Sequence, residues 1–527
     1  MRVPPGIWRA PWYVVVPAIL VGTATLLPLA YLVIRALEVE PATLWRLVVR
    51  QRNLMLLGNT AALTGLVLLF GTLISVPLAW LVVRTDLAGR RLVTWLAVAP
   101  LAVPGYVMAY ALLGLGGYMG LVPQLFGVSM ARPSGLWGAT AALTLYTFPY
   151  IFLNVRSALL GLDASLEESA RSLGLSRLAV VFRVVLPQLR PALLAGWLVV
   201  SLYVLGDFGA VALMRFETFS LAIYTQYTSA FDRNNAALLS LMLLLITTTI
   251  VVFELRLLGR RRYARLGRGA PRLVKPERLG RTAPLWYLFV ALVLGAALGL
   301  PLTTLTGWLA LVPPSAAQLA QVVTTFLQTA ALAVPIAVIA ALLALPVGVA
   351  ALRSRWFGGK LLERLVYLGY AVPPVALAFA LVMFSLRFTP QWYQTFWVLG
   401  FAYVVSFLAL AIGPVRSGLL QVNPRLEETA RSLGRGRFVA FVQTVMPKLS
   451  RNVLAAAALV LMAVMKELPM TYLLAPTGYR TLSMRVFGLT NEGMLATAAP
   501  YALGIVLFSS LFVGLLLAYE GRGAEHA

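Results

Sequence analysis

Glu167-Glu168-Ser169-Ala170-Arg171-Ser172-Leu173-Gly174 and Glu427-Glu428-Thr429-Ala430-Arg431-Ser432-Leu433-Gly434 are two copies of one polar stretch, each followed at the same distance by a proline, Pro187 or Pro447. Each copy lies within a longer segment, 163–191 or 423–451, with membrane-grade apolar sequence on both sides. The local pattern reads as two short helices joined by a glycine turn. Asp163 and Asn423 are N-cap residues, Pro424 suits the first helical position, and the paired glutamates fall in the first turns, where the helix dipole favours negative charge. Gly174 and Gly434 stand where a C′ glycine ends such a helix. Ser176 or Gly436 then caps a second helix, expected to end near Pro187 or Pro447 because proline lacks the N–H that a helix interior needs.

The surrounding composition fixes the solvent. Of 527 residues 60% are hydrophobic and only 12% charged, with mean hydropathy +0.87, so the chain is a polytopic membrane protein. A net charge of +25 would point to nucleic acid in a soluble protein; here the arginines lie in short loops between apolar runs, where they set topology, and no nucleic-acid partner is expected. There is no cysteine, which excludes disulfides, thiolate metal sites and thiol catalysis. The single histidine, His526, excludes a histidine relay or metal cage by count. No catalytic residue and no resident metal site is expected.

Apolar runs of roughly the ~20 residues that cross a bilayer core define the spans. The first, at about 12–34, follows Arg2 and Arg9 and is too long for a signal peptide. Others lie at about 57–83, 92–115, 136–159, 192–214 and 236–255, and then at about 284–309, 326–352, 362–386, 393–418, 452–475 and 498–519. Between the two sets lies a basic linker, 258–283, containing Arg260-Arg261-Arg262, Arg265, Arg268, Arg272, Lys275 and Arg278, which should stay in the cytoplasm as a topology anchor. Six spans precede it, so the N- and C-termini are expected to be cytoplasmic. The sets also repeat in sequence: Asn59-Thr60-Ala61-Ala62-Leu63 recurs as Gln328-Thr329-Ala330-Ala331-Leu332, Pro77 as Pro346, Val103-Pro104 as Val372-Pro373, and Thr218-Phe219-Ser220 as Thr481-Leu482-Ser483.

The expectation is an all-α membrane protein of about twelve transmembrane helices, built from two parallel six-helix repeats, 1–257 and 284–527. Both acidic stretches then face the cytoplasm, with the loops carrying Arg84, Arg90 and Arg91, and Arg353, Arg355 and Lys360. The first outer loop carries Arg46, Arg50 and Arg52 against this rule; it also has Glu38 and Glu40 and reads as an amphipathic segment on the membrane surface.

Glu-x-Ala-x-x-x-Gly followed by Leu-Pro resembles the EAA loop of permease subunits of type I ABC importers, and the resemblance covers both halves. The first copy fits with Glu168, Ala170, Gly174, Val184, Leu186 and Pro187; the second keeps Glu428, Ala430, Gly434 and Pro447 but departs at Thr444 and Met446. The resemblance implies that each short helix is a coupling helix seated in a cleft of an ATPase subunit. Glu168 and Glu428 would make the polar contact, Gly174 and Gly434 would permit the turn, and Glu167, Glu427, Ala170, Ala430, Pro187 and Pro447 would complete the coupling set. No Gly-x-x-x-x-Gly-Lys-Ser/Thr loop occurs in the chain. ATP and Mg are accordingly expected on two copies of a separate ABC ATPase subunit, with no cofactor on this chain and no catalysis by it. The family setting is a bacterial inner membrane, its lipid, and a periplasmic or lipid-anchored substrate-binding protein.

Asp207 and, at the equivalent repeat position, Glu467 lie inside the fifth span of each half, in its outer part, with Lys466 adjacent to the latter. Intramembrane ionisable groups usually face a bundle interior or an aqueous path. Two readings stay open: the three line the translocation path or its outer gate, or Lys466 pairs with a carboxylate to fix packing. Tyr203, Tyr472, Met214, Met465 and Met484 read as packing, and Pro104, Pro373 and Pro374 as ordinary transmembrane prolines. The Lys466-Glu467-Leu468-Pro469 and Asp207-Phe208-Gly209-Ala210 runs resemble fused permeases for ferric iron. Permeases for thiamine, phosphonates or polyamines share the architecture. An ion-coupled secondary transporter would explain the repeat and the intramembrane acids but not two matching coupling loops.

Overall fold

In hydrocarbon every backbone N–H and C=O must be satisfied within its own segment, which leaves helices as the solution for single apolar runs. The computed structural model of the chain is all-helical among the described residues, which are 11–37, 45, 49–118, 120–162, 164–228, 233–258, 276–353, 358–423 and 425–524. Arg2, Arg9, Glu38, Glu40, Arg46, Asp163, the linker from 259 to 275, Arg355, Pro424 and His526 lie outside them.

Among the described residues ten helices are long and apolar enough to cross a membrane, and two bent pairs bring the number to twelve if each counts as one span. The bent pairs correct the expectation of straight spans at 92–115 and 362–386. Arg90–Ala102 meets Gly105–Leu113 at 93°, and Gly358–Ala371 meets Pro374–Phe388 at 100°. The recurring Val-Pro dipeptides are the cause. A residue before proline is driven out of the α region, and Val103 (φ −93°, ψ 112°) and Pro104 (φ −62°, ψ 154°) are both extended. Pro373 is extended too, at φ −55°, ψ 130°.

The helix after each glycine turn also differs from expectation. It does not stop at Pro187 or Pro447 but runs on from 177 to 206, and from 437 to 466 in the second copy. Each passes its proline through one π-helical turn, Val181–Val185 or Phe441–Val445. The wider turn relieves the clash between the proline ring and the carbonyl four residues back, and leaves no N–H to miss. These fifth spans end at Gly206 and Lys466, short of 214 and 475.

Two compact packing units emerge, and they are not the sequence halves. One comprises 51–222, 245–314 and 489–527; the other comprises 1–50, 223–244 and 315–488. Inside the first, Thr304 of the helix Leu300–Leu311 donates to the Ala111 carbonyl (3.3 Å), and Tyr110 donates to Leu495 O (2.9 Å) at the start of the last helix. Inside the second, the N-terminal helix Trp12–Leu37 packs on the bent pair, with the Tyr31 hydroxyl donating to Met383 O at 3.3 Å. Each unit thus includes segments of both sequence repeats.

Candidate functional site

The first acidic stretch forms the helix Ala164–Ser172. Its two glutamates part company: Glu168 is exposed, whereas Glu167 turns inward. Glu167 meets Arg84, the last residue of the span Gln51–Arg84, with Nη2 to Oε1 at 2.8 Å and side-chain exposures of only 8% and 3%. The Arg84 guanidinium also stands over the Trp80 ring, 6.0 Å from its centroid. At the other end of the short helix, Arg171 donates to Glu277 Oε1 at 2.7 Å. Glu277 is itself fixed by backbone pairing, its N–H donating to Arg84 O (2.8 Å) and its carbonyl accepting from Asp86 N–H (3.1 Å). Asp86 Oδ1 then accepts from Leu279 N–H at 2.9 Å. One clip, made of 84–86 and 277–279, therefore holds the acidic helix at both ends.

The glycine turn is a Schellman closure. Gly174 sits at φ +85°, donating to Arg171 O (3.0 Å), and Leu175 N–H reaches Ala170 O (3.1 Å). Gly434 repeats it at φ +84°, with 3.0 Å to Arg431 O and 3.2 Å from Arg435 N–H to Ala430 O. Nothing lies within 4 Å of a Cβ built on either glycine, so only backbone strain opposes a side chain there. Gly174→Ala is expected to cost about 1–2 kcal/mol and Gly174→Asn less, because asparagine tolerates the left-handed region. The ranking of melting temperatures in detergent checks this; equal melting of the alanine variant and wild type would contradict it. Leu173 and Leu433, immediately before the glycines, are 83% and 78% exposed.

The second stretch, Arg425–Ser432, repeats the division: Glu427 is buried and Glu428 exposed. Asn423 acts as the expected cap, Oδ1 accepting from Arg425 N–H at 3.0 Å. Following the turn, Phe438 takes the ring of Tyr13 edge-on, centroids 5.6 Å apart. In the first copy Ser176 Oγ accepts from Ala179 N–H at 3.3 Å, capping the helix that becomes the fifth span.

At the far ends of those spans the two intramembrane acids are engaged by backbone. Glu467 Oε1 accepts from Met470 N–H (2.7 Å) and Oε2 from Thr471 N–H (2.9 Å) and the Thr471 hydroxyl (2.5 Å), which in turn accepts from Tyr403. Asp207 Oδ1 accepts from Ala210 N–H (2.9 Å) and Val211 N–H (3.2 Å). Both carboxylates thus cap the short helices past the break, Pro469–Leu474 and Gly209–Leu213. Asp207 Oδ2 lies against Gly105 at the bend of the broken pair, where an added Cβ would come within 3.0 Å of it. The echoing tripeptides are anchored by the recurring threonines. Thr60 Oγ1 accepts from Phe219 N–H, and Thr329 Oγ1 from Leu482 N–H, both at 3.3 Å. Lys466, the last residue of its helix, is half-buried. Tyr203 stacks on Tyr150 (4.8 Å) and Tyr472 meets Phe487 edge-on (5.6 Å). Among the described residues no three His, Cys, Asp or Glu side chains converge where a metal could be held.

Sequence reasoning missed the capping role and the Arg84 and Glu277 anchors. Glu467 two residues before Pro469 was the available signal, since proline at the first helical position marks a helix start that a carboxylate can cap. No signal in the sequence pairs Glu277 with Arg171.

The sequence profile described as "Binding-protein-dependent transport system inner membrane component" matches the chain twice, at residues 71–263 and 333–522. The Fe(3+)-transport system permease protein FbpB 2 of Haemophilus influenzae is 33% identical over 515 residues, 97% of this chain and 99% of that protein. A probable molybdenum ABC transporter permease of Haloferax volcanii is 33% identical over 206 residues, 39% of this chain and 74% of its own length. The sulfate transport system permease protein CysT of Salmonella typhimurium is 30% identical over 205 residues, 39% of this chain and 73% of its own.

Proposed function

Because this chain belongs to the binding-protein-dependent transport system inner membrane component family and is the permease part of an ABC importer, we propose that its cargo is ferric iron. The observation that carries this reading is the match to an Fe(3+)-transport permease over both repeats, whereas the molybdenum and sulfate relatives match no more than 39% of the chain. The membrane is the bacterial cytoplasmic membrane, with both termini and both acidic helices on the cytoplasmic side. That orientation places the many loop arginines inside. A periplasmic or lipid-anchored binding protein delivers the cargo to the outer face.

Two copies of an ATPase subunit, which hold the ATP and Mg²⁺, dock on the two acidic helices. Glu168 and Glu428, with the exposed Leu173 and Leu433, offer the contact; Glu167 and Glu427, which are buried, fix each helix to the permease. Gly174 and Gly434 turn the chain directly into the fifth spans. In the second copy that helix is Arg437–Lys466, 30 residues, or about 45 Å at ~1.5 Å per residue. A displacement of the docked helix is thereby carried along one continuous rod to the break capped by Asp207 or Glu467. Approach of the two ATPase subunits then biases the permease between inward- and outward-facing states.

The test is ATPase activity of the chain assembled with its ATPase in vesicles. Ferric-loaded binding protein is expected to stimulate hydrolysis, and Glu168→Ala with Glu428→Ala to cut stimulation by about ten-fold or more, the loss of two charge-assisted contacts. Stimulation only by a binding protein loaded with molybdate, sulfate, a phosphonate, thiamine or a polyamine would end the iron assignment and leave the importer. Full stimulation of the double variant would end the coupling assignment.

A further inference from the structure

The two intramembrane acids stand at equivalent places and are used differently. Glu467 gives one oxygen to Met470 N–H and the other to Thr471, whose hydroxyl is held in turn by Tyr403, so both oxygens are taken. Asp207 uses Oδ1 alone for its cap, accepting from Ala210 and Val211 N–H, and Oδ2 accepts no hydrogen bond among the described residues. Helix capping thus accounts for the whole of the Glu467 carboxylate and for half of the Asp207 one.

The repeat shows where the difference comes from. Glu168 aligns with Glu428, so Val211 stands where the second repeat has Thr471; Val155-Arg156-Ser157 aligns with Val415-Arg416-Ser417, so Leu143 stands where it has Tyr403. Both hydroxyls that complete the second site are replaced by aliphatic side chains in the first. Val103-Pro104 aligns with Val372-Pro373, which sets Gly105 against Pro374. A Cβ on Gly105 would stand 3.0 Å from Asp207 Oδ2, 3.6 Å from the Tyr146 ring and 3.7 Å from Leu143. The missing side chain therefore leaves room directly in front of the open oxygen.

That room suits a cation. A carboxylate oxygen in a membrane span is costly without a partner, and aromatic faces carry the negative end of the ring quadrupole. Tyr146 lines the opening, meets Tyr203 edge-on (5.9 Å), and Tyr203 stacks on Tyr150 (4.8 Å). The second repeat has Ser406, Ala463 and Leu410 in their places, so the rings belong to the first repeat alone. Asp207, Tyr203 and Tyr150 are each part-buried, which leaves the opening unsealed. We propose that it is a transient site for the cationic cargo, present in the first repeat only, with Asp207 Oδ2 as its charged ligand. The cargo role rests on the ferric reading given above. Hard cations take oxygen donors, and one carboxylate oxygen holds such an ion loosely enough for it to leave.

Terbium emission excited through tyrosine reads the site in the full chain in detergent, without ATPase, binding protein or iron, because it requires a trivalent cation close to an aromatic ring. Asp207→Asn keeps an acceptor for the Ala210 and Val211 N–H groups and removes the charge at the open oxygen. Gly105→Ala keeps the charge and covers the oxygen. Each is expected to weaken the tightest tyrosine-excited terbium site by at least about ten-fold, with Asp207→Asn melting as wild type; Glu467→Gln is expected to retain that site. Undiminished binding in Asp207→Asn, or an equal loss in Glu467→Gln, would overturn the proposal.

In vesicles with the ATPase and ferric-loaded binding protein, Asp207→Asn is expected to lower iron uptake by a similar factor. Uptake at the wild-type rate in this variant ends the cargo role of Asp207 and leaves the ferric importer standing. Failure of ferric-loaded binding protein to stimulate the wild-type chain is a different outcome: it ends the ferric reading, and the cargo role with it.

Discussion

Arg84→Met is expected to destabilise the chain by about 3–5 kcal/mol, because it removes the counter-charge of a nearly buried carboxylate. Glu167 and Arg84 face each other at 2.8 Å with almost no solvent access, so solvent screening offers the stranded carboxylate little relief. The second substitution separates this cause from simple loss of packing. Adding Glu167→Leu should recover most of the stability, since an apolar pair of similar volume avoids both desolvation costs. Melting temperatures of the two single variants and the double, arranged as a cycle, give the coupling between the two sites. If Arg84→Met melts as wild type, or if Glu167→Leu makes it worse, the pair does not hold the helix in the way argued. Stimulated ATPase activity should fall in Arg84→Met, whose acidic helix loses the Glu167 anchor and keeps the Arg171–Glu277 tie.

Glu467→Ala should cost a comparable amount, about 3 kcal/mol or more, through hydrogen bonding alone. It orphans the Met470 and Thr471 N–H groups in a site where Glu467 is only 6% exposed, and each buried unmet donor costs about 1–3 kcal/mol; the Thr471 hydroxyl keeps the carbonyl of residue 467 as an acceptor. Asp207→Ala frees two donors in a part-buried rather than a buried site and should be milder. Glu467→Gln keeps one acceptor oxygen but turns an N–H toward donors, so its melting temperature should fall between those of wild type and alanine. Thermal unfolding of the four variants ranks them. A Glu467→Gln protein that melts as wild type yet fails in hydrolysis stimulated by loaded binding protein would show the carboxylate acting on cargo rather than on backbone.

Much of the fold was legible because the bilayer restricts the options. An apolar run of membrane length has to be a helix, and two sets of six such runs with matching polar stretches specify a repeat before any contact is known. The short acidic helices were equally legible, since caps and C′ glycines act within a few residues; Asn423, Ser176, Gly174 and Gly434 stand where local chemistry put them. Proline was legible only in part. Pro104 and Pro373, each behind a valine at a helix end, break their spans by 93° and 100°, while Pro187 and Pro447 ride through on π turns. The same residue type gives opposite results because the extended Val103 ends the helix before Pro104, whereas a π turn just ahead of Pro187 and Pro447 lets those helices run on.

The sequence by itself determined the solvent, the helical class, the repeat and the position of both acidic helices, all of which depend on composition or on spacing within one turn or one span. Tertiary structure alone decided which glutamate of each pair turns inward, that Asp207 and Glu467 cap helices, that Glu277 holds Arg171 across 106 positions, and that each packing unit includes segments of both repeats. These depend on contacts between residues far apart in the chain, and a lipid-facing helix looks the same in sequence whichever bundle it joins, because hydrocarbon and a helix neighbour ask for the same apolar surface.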